Sequence, residues 1–194
     1  LEILTQEIIK STEIEGEFLD KEQVRSSIAR RLGLEIPGLV FSERNVDGIV
    51  DLMIDATKNF DRELNKERLF SWHAALFPTG QSGLYKIITG NWRDDSTGPM
   101  QVVSGALGKE KVHYQAPPAS QIDHEMQIFI DWFNLEQNTD LVLKSAIAHL
   151  WFVTIHPFED GNGRISRALS DMLLARSDEQ SYRFYSMSTQ IRKE

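Results

Sequence analysis

The sequence has no cysteine among its 194 residues. A disulfide framework and a thiolate-bound metal are therefore excluded, and the composition fits a reducing, cytoplasmic setting. Long apolar runs are missing too. Nothing approaches the stretch of about 18 uncharged apolar residues that a membrane span needs. The opening "LEILTQEIIK" has neither the basic head nor the cleavage site of an export signal. The chain is expected to be soluble, unexported and without a membrane partner. Positive charge is in short supply: the formal net charge is −8, which repels a phosphate backbone on average and argues against direct nucleic-acid binding. Any phosphate handled here must meet a local basic site. Internal repeats and low-complexity tracts are absent, and no HExxH-type motif occurs. His149 and His156 are spaced unlike any common ligand pair, so a metal-dependent hydrolase built on them is disfavoured.

With 41% hydrophobic residues, the chain carries enough apolar surface for one substantial core, most simply a single domain. It begins at Leu1 rather than Met and stops in the charged "STQIRKE". A piece of a longer protein is expected.

Apolar spacing is mainly helical. "LDKEQVRSSIARRLG" places Asp20 as N-cap with Gln23 behind it, aligns Val24, Ile28 and Leu32 on one face, and stops at Gly33. A second helix is predicted from about Ser42 through Ile54, and a third from Asn65 to Leu76, before Pro78. Two more are predicted over residues 122–133 and from Asp140 to Ile155. The run "AIAHLWFVTI" is apolar on most sides, which predicts a helix at the centre of the core. Ile165, Ala168, Leu169, Met172 and Leu173 follow the spacing i, i+3, i+4, i+7, i+8, so another helix starts near Gly161 and packs inward by that stripe. Arg25, Arg30 and Arg31 read as a solvated face, and Trp72, Trp92, Trp132 and Trp151 as core or near-core. His73, His113 and His124 read as structural or surface residues. Between Gly80 and Pro118 the pattern changes: "MQVVSG" and "KVHYQA" flank "ALGKE", two β-favouring runs around a glycine-containing turn, which predicts a hairpin.

The turn between the last two core helices, "IHPFEDGNGRISRAL", concentrates the chemistry. Arg164 and Arg167 lie in the first turns of a helix, where the macrodipole disfavours positive charge by roughly 0.3–1 kcal/mol each. An anion would offset that. Unpaired backbone N–H groups, glycines that permit close approach and two guanidinium forks describe a phosphate cradle. Asp160, a poor neighbour for a bare phosphate, implies Mg2+ bridging carboxylate and nucleotide. His156, with an ordinary pKa of about 6.5, can take a proton from a hydroxyl near neutral pH. Taken singly, each feature has a plain structural reading. Chance coincidence of all of them is on the order of 10⁻¹⁰ per chain at average composition. The residues thus point to phosphoryl or nucleotidyl transfer to an alcohol.

"HPFEDGNGRISR" resembles the Fic family signature HPFx(D/E)GNGRxxR, with every specified position matched. The resemblance implies an all-α, Fic-type helical bundle with a small β-hairpin flap. The implied organisation is an N-terminal segment 1–19, then a catalytic core 20–194 with the flap at about 99–116 and the signature loop at 156–167. Fic proteins typically transfer AMP from ATP to a Ser, Thr or Tyr hydroxyl of a target protein. Carried over, His156 is the general base and Asp160 the Mg2+ ligand. Gly161, Asn162 and Gly163 form the anion nest, Arg164 contacts phosphates, Arg167 reaches the γ-phosphate, and Phe158 supports the loop from the core. The kinase-like Doc branch replaces the asparagine-glycine part of the nest, so the intact "GNG" favours nucleotidyl transfer.

"STEIEGE" resembles the inhibitory motif (S/T)xxxE(G/N) of autoinhibited Fic proteins, here Ser11, Glu15 and Gly16. In that class a pairing of Glu15 with Arg167 would deny the γ-phosphate its partner. A capping box of Thr12 with Glu15, starting an ordinary helix, competes with this reading. In other family members the same glutamate positions a water that removes AMP, so a brake and a general base both stay open. So does a silent nucleotide-binding module. Gln101, Val102, Val103 and Ser104 are the flap residues expected to dock a target strand by β-augmentation. His113 and Tyr114 close the hairpin. A homo-oligomer is compatible with all of this.

Overall fold

The computed structural model describes residues 1–105, 109, 111–180 and 185–191. Eight helices and two small hairpins follow one another among them. The caps read from the sequence start the helices they mark. Asp20 accepts from the Gln23 N–H at 2.9 Å ahead of α2 (Lys21–Leu32), which ends at Gly33. Asn65 accepts from the Arg68 N–H at 2.8 Å ahead of α4 (Lys66–Leu76), and Asp140 from Val142 and Leu143 at 3.0 and 3.2 Å ahead of α6 (Leu141–Ile155). α5 spans Ala119–Leu135, and α7 spans Asn162–Asp178 with Gly161 as N-cap. Helix α3 (Arg44–Lys58) begins after Glu43 rather than at Ser42. The Ser42 hydroxyl instead donates to Asp47 at 2.6 Å.

Several features go beyond the expectations or differ from them. The N-terminal segment carries a helix of its own, α1 (Glu2–Ile14), which packs on α2 and on the short α8 (Met187–Ile191). The buried Glu7 carboxylate ties α1 to α8 by accepting from the Ser186 hydroxyl at 2.6 Å and from Ser188. Thr12 lies inside α1, with its hydroxyl on the Ile8 carbonyl at 2.9 Å, so the capping box of Thr12 with Glu15 is not formed. The expected solvated face is only partly so: Arg30 is exposed, whereas Arg31 is half-buried. Arg30 donates to the Val40 carbonyl at 2.7 Å, and Arg31 pairs with Asp47 at 3.1 Å and with Asp51, sewing α2 to α3 and its leading loop.

A further difference concerns the centre of the core. Helix α6, apolar on most sides, leaves Val142, Leu143, Ile147 and Leu150 exposed. It is α7 that is buried from Arg164 to Ala175, polar residues included. Apolar content alone cannot place a helix. The polar side of α7 is buried because partners reach it: the Ser170 hydroxyl donates to the Ser145 carbonyl of α6 at 3.0 Å, and Arg167 is met by α1. Hydrogen-bonded polar groups can be buried at modest cost. Around α7 the core gathers Ile8, Ile28, Val50, Met53, Phe129, Phe152, Phe158 and Leu169.

The predicted hairpin is present. β3 (Gln101–Ser104) pairs antiparallel with β4 (Lys111–Gln115), Gln101 opposite Gln115 and Ser104 opposite Lys111, with a register shift between Val102 and Val103. Residues 106–108 and 110 of its "ALGKE" turn lie outside the described residues. The Tyr114 hydroxyl donates to the Thr154 carbonyl at 2.8 Å, fastening the flap to the end of α6. A second, unforeseen hairpin of β1 (Gln81–Ser82) and β2 (Tyr85–Lys86) stands next to the turn between α6 and α7. Among the described residues, no helix is long and apolar enough to cross a membrane.

Candidate active site

Helix α6 must end before Pro157, which has no N–H to continue it. His156 closes it as C-cap in the left-handed region (φ 52°, ψ 59°). A buried arginine holds this bend. Arg93 Nε donates to the His156 carbonyl at 2.8 Å, its backbone N–H to Pro157 at 2.9 Å, and its Nη2 to Pro117 at the foot of the flap at 2.6 Å. The His156 Nδ1 lies 3.2 Å from the Val153 carbonyl. A carbonyl can only accept, so Nδ1 carries the proton and the neutral ring presents Nε2 as a free base. Burial holds the ring below its ordinary pKa, and the nearby Arg93 charge acts in the same direction.

The loop that follows is pinned from inside. The Phe158 ring is fully buried and stacks on His73 at a centroid distance of 4.1 Å and an interplanar angle of 7°. His73 takes the Gly90 N–H on Nδ1 at 3.0 Å and donates from Nε2 to the Asp160 carbonyl at 3.2 Å. Desolvation pushes its pKa down to about 4, so it stays neutral. The Asn162 side chain clasps the Phe158 backbone in both directions, at 3.0 and 2.8 Å. This commits the side chain to the loop and leaves the backbone N–H of Asn162, in the first turn of α7, to face a ligand. Among the described residues no side chain caps that helix, so its first N–H groups, which have no intrahelical partners, gain none from a cap. The Asp160 carboxylate accepts from the Gly161 N–H at 2.5 Å and from the Ser82 hydroxyl, and lies 3.9 Å from Arg164 Nη2.

The two arginines at this terminus are nearly sealed, with Arg164 5% and Arg167 3% exposed. Both are held by α1 and the residues after it. Arg167 donates from Nε to the Ser11 hydroxyl at 2.7 Å, and from Nη2 to the Ser11 carbonyl at 2.8 Å and to Glu15 Oε1 at 2.6 Å. Burial lowers the Arg167 pKa, and Glu15 opposes that shift. Arg164 lies over the Phe77 ring at 5.0 Å and pairs with Glu17 at 3.1 Å. Its buried Nε has no partner among the described residues. A Cβ at Gly163 would collide with the Glu15 carboxylate and come within 3.1 Å of Arg167, so these side-chain ends would have to shift to admit one.

The structure therefore gathers His156, Asp160, Gly161, Asn162, Gly163, Arg164, Arg167, Ser11 and Glu15 at one helix terminus. Gly16, with φ 79°, turns the chain after α1. Gln101–Ser104 stand apart on the flap, with Val102 and Val103 exposed. His73, Ser82, Arg93 and Glu17 belong to the site but carry no local spacing signal. Their partners lie 63 to 147 residues away in sequence. One carboxylate with a hydroxyl beside it, at an uncapped helix terminus flanked by guanidinium groups, is a donor set that fits Mg2+. That ion is usually held by one or two carboxylates together with substrate phosphates and waters.

A family model described as Fic/DOC family matches residues 63–174. A second, described as a domain of unknown function (DUF4172), matches residues 1–34. The chain is 29% identical over 167 residues to protein adenylyltransferase fic-1 of Caenorhabditis briggsae, covering 84% of this chain and 30% of that protein. It is 38% identical over 61 residues to a probable protein adenylyltransferase of Aquifex aeolicus (strain VF5), covering 31% of this chain and 19% of the other. The chain thus spans less than a third of the length of these relatives. Among solved structures, a Fic family protein from Desulfovibrio desulfuricans G20 is similar with a TM-score of 0.59 at 27% identity, covering 90% of this chain and 48% of that one. A Fic domain containing signaling protein from Bacteroides thetaiotaomicron VPI-5482 shares the fold, with a TM-score of 0.68 at 20% identity over 99% of this chain and 70% of the other. The family match runs from the loop before α4 through the flap and the signature loop into α7, over more than half of the chain, and the chain belongs to the Fic/DOC family.

Proposed function

We propose that this chain carries a protein adenylyltransferase site, moving AMP from ATP to a Ser, Thr or Tyr hydroxyl of a target protein, and that Glu15 restrains it. The observation that supports this best is the clamp on Arg167. A buried guanidinium at an uncapped helix terminus is a ready-made anion site, and here the carboxylate of Glu15 holds it at 2.6 Å. The names of the relatives, protein adenylyltransferases, point the same way.

In this reading the backbone N–H groups of Gly161, Asn162 and Gly163 receive the α- and β-phosphates of ATP. Arg164 contacts phosphates, and Arg167, once released by Glu15, holds the γ-phosphate. Asp160, steadied by Ser82, holds Mg2+, whose charge offsets that of the phosphates. His156 Nε2 takes the proton of the target hydroxyl as its oxygen bonds to the α-phosphorus and the bond to pyrophosphate breaks. His156 then carries the proton. Gln101–Ser104 register the target by pairing along the free side of β3. With Glu15 in place, the γ-phosphate loses its partner and the α-phosphate is misaligned. Displacement by about 1 Å can cost on the order of 100-fold in rate.

The test compares wild type, Glu15→Gly and His156→Ala, given Mg2+ and ATP labelled at the α- or the γ-phosphate, with and without lysate. We expect α-label on protein to rise on the order of 100-fold in Glu15→Gly and to vanish in His156→Ala. Protein-bound γ-label would mean a kinase instead. Release of AMP from a modified target by wild type but not by Glu15→Gly would make Glu15 a hydrolytic base. No label from any variant leaves a nucleotide-binding module.

A further inference from the structure

We propose that Glu17 is a second inhibitory carboxylate, so that Glu15-Gly16-Glu17 occupies both arginines at once, much as two linked anionic groups of a polyphosphate would. The proposal rests on the reading of those arginines as phosphate-binding. Arg164 and Arg167 lie three apart on α7, hence side by side on one face. Glu15 and Glu17 flank one residue and meet them at 2.6 and 3.1 Å. Gly16 makes this possible. It stands in the left-handed region at φ 79°, with open space where a Cβ would be, so the demand on the residue is conformational rather than steric. The Gly16 N–H bonds back to Glu13 at 3.1 Å and the Glu17 N–H to Thr12 at 3.2 Å, which fixes the turn. Both carboxylates are thereby delivered to the same helix terminus.

The two clamps differ in access. The Glu17 side chain is 49% exposed and borders a cavity of about 340 Å³ lined also by Thr12, Glu43, Arg44, Ser82 and Arg164. An anion arriving through this cavity competes with Glu17 directly. The Glu15 side chain is less exposed, at 31%, and the Arg167 it pairs with is held by two further bonds to Ser11. Exchange of Glu15 alone therefore leaves Arg164 occupied, and release of the site is stepwise.

The experiment measures ADP affinity by titration calorimetry with Mg2+ present, for wild type, Glu15→Gly, Glu17→Gln and the double variant Glu15→Gly/Glu17→Gln. Glu43→Gln in the Glu15→Gly background serves as control, because Glu43 faces the same cavity without pairing to either arginine. We expect Glu17→Gln to tighten ADP binding about fivefold in the Glu15→Gly background, and Glu43→Gln to leave it unchanged. Equal affinity with and without Glu17 overturns the proposal. So does an equal gain from Glu43→Gln, which would mean a diffuse charge effect. Failure of the transfer reading looks different: Glu15→Gly then transfers no label while ADP binding still responds to Glu17. If none of the variants binds ADP, both readings fall.

Discussion

His156 is a single residue on which several local constraints converge. Its ring is neutral because burial disfavours the charge, and its Nδ1 proton is committed to Val153. The sign of the pH dependence follows. With the pKa held below its ordinary value, the base form predominates at pH 7 and is lost as pH falls. In the Glu15→Gly background, kcat/KM for AMP transfer is expected to be flat around neutrality, with its acid limb below pH 6.5. A limb centred above pH 7 would show that His156 is not the titrating base. Arg93 does for the backbone at this point what Val153 does for the ring. Neither contact is visible in a motif, because the motif names His156 and not what holds it.

At the scale of elements, the central relation is the one between α1 and α7. Ser11 in the last turn of α1 and its C-cap Glu15 are one turn apart, Arg164 and Arg167 are one turn apart on α7, and the end of α1 meets the start of α7 through Arg167. Ser11 contributes twice to the grip on Arg167, through its hydroxyl and its carbonyl. Hydrogen bonds to charged groups are worth roughly 1.5–3 kcal/mol. We expect Ser11→Ala to raise AMP transfer severalfold over wild type but well short of Glu15→Gly, since the carbonyl and the carboxylate remain. Rates of label incorporation decide it, and a Ser11→Ala variant as slow as wild type would remove the hydroxyl from the clamp. The flap is a separate element, fastened to α6 through Tyr114 and otherwise exposed. Its strands are legible as two β-favouring runs around a glycine-containing turn. The first hairpin is not, because β1 and β2 are too short for a periodic signal.

At the scale of the molecule, the aromatic stack of His73 on Phe158 joins the active loop to the core, and it makes stability depend on pH. Unfolded, His73 gains a proton near pH 6.5; folded, it resists until about pH 4 because it is buried. The unfolded chain binds more protons in that window, so stability is lost as pH falls through it, by on the order of 3 kcal/mol. His149 and His156 are shifted in the same direction and add to the loss. The urea midpoint is expected to drop clearly between pH 7 and pH 4.5, and a constant midpoint would contradict a neutral, buried His73. By itself the sequence determined the helix starts at Asp20, Asn65 and Asp140, the stripe of α7, the flap strands and the loop from His156 to Arg167. Each of these is written in neighbouring residues, where capping, periodicity and turn chemistry act over a few positions. Tertiary structure alone decided that α7 rather than α6 lies at the centre, that a helix carries Ser11 to Arg167, and that Ser82 and Glu17 meet the charged groups of the site while Arg93 braces its backbone. Those outcomes depend on which distant polar groups find partners once the chain is packed, and spacing along the chain carries no record of that.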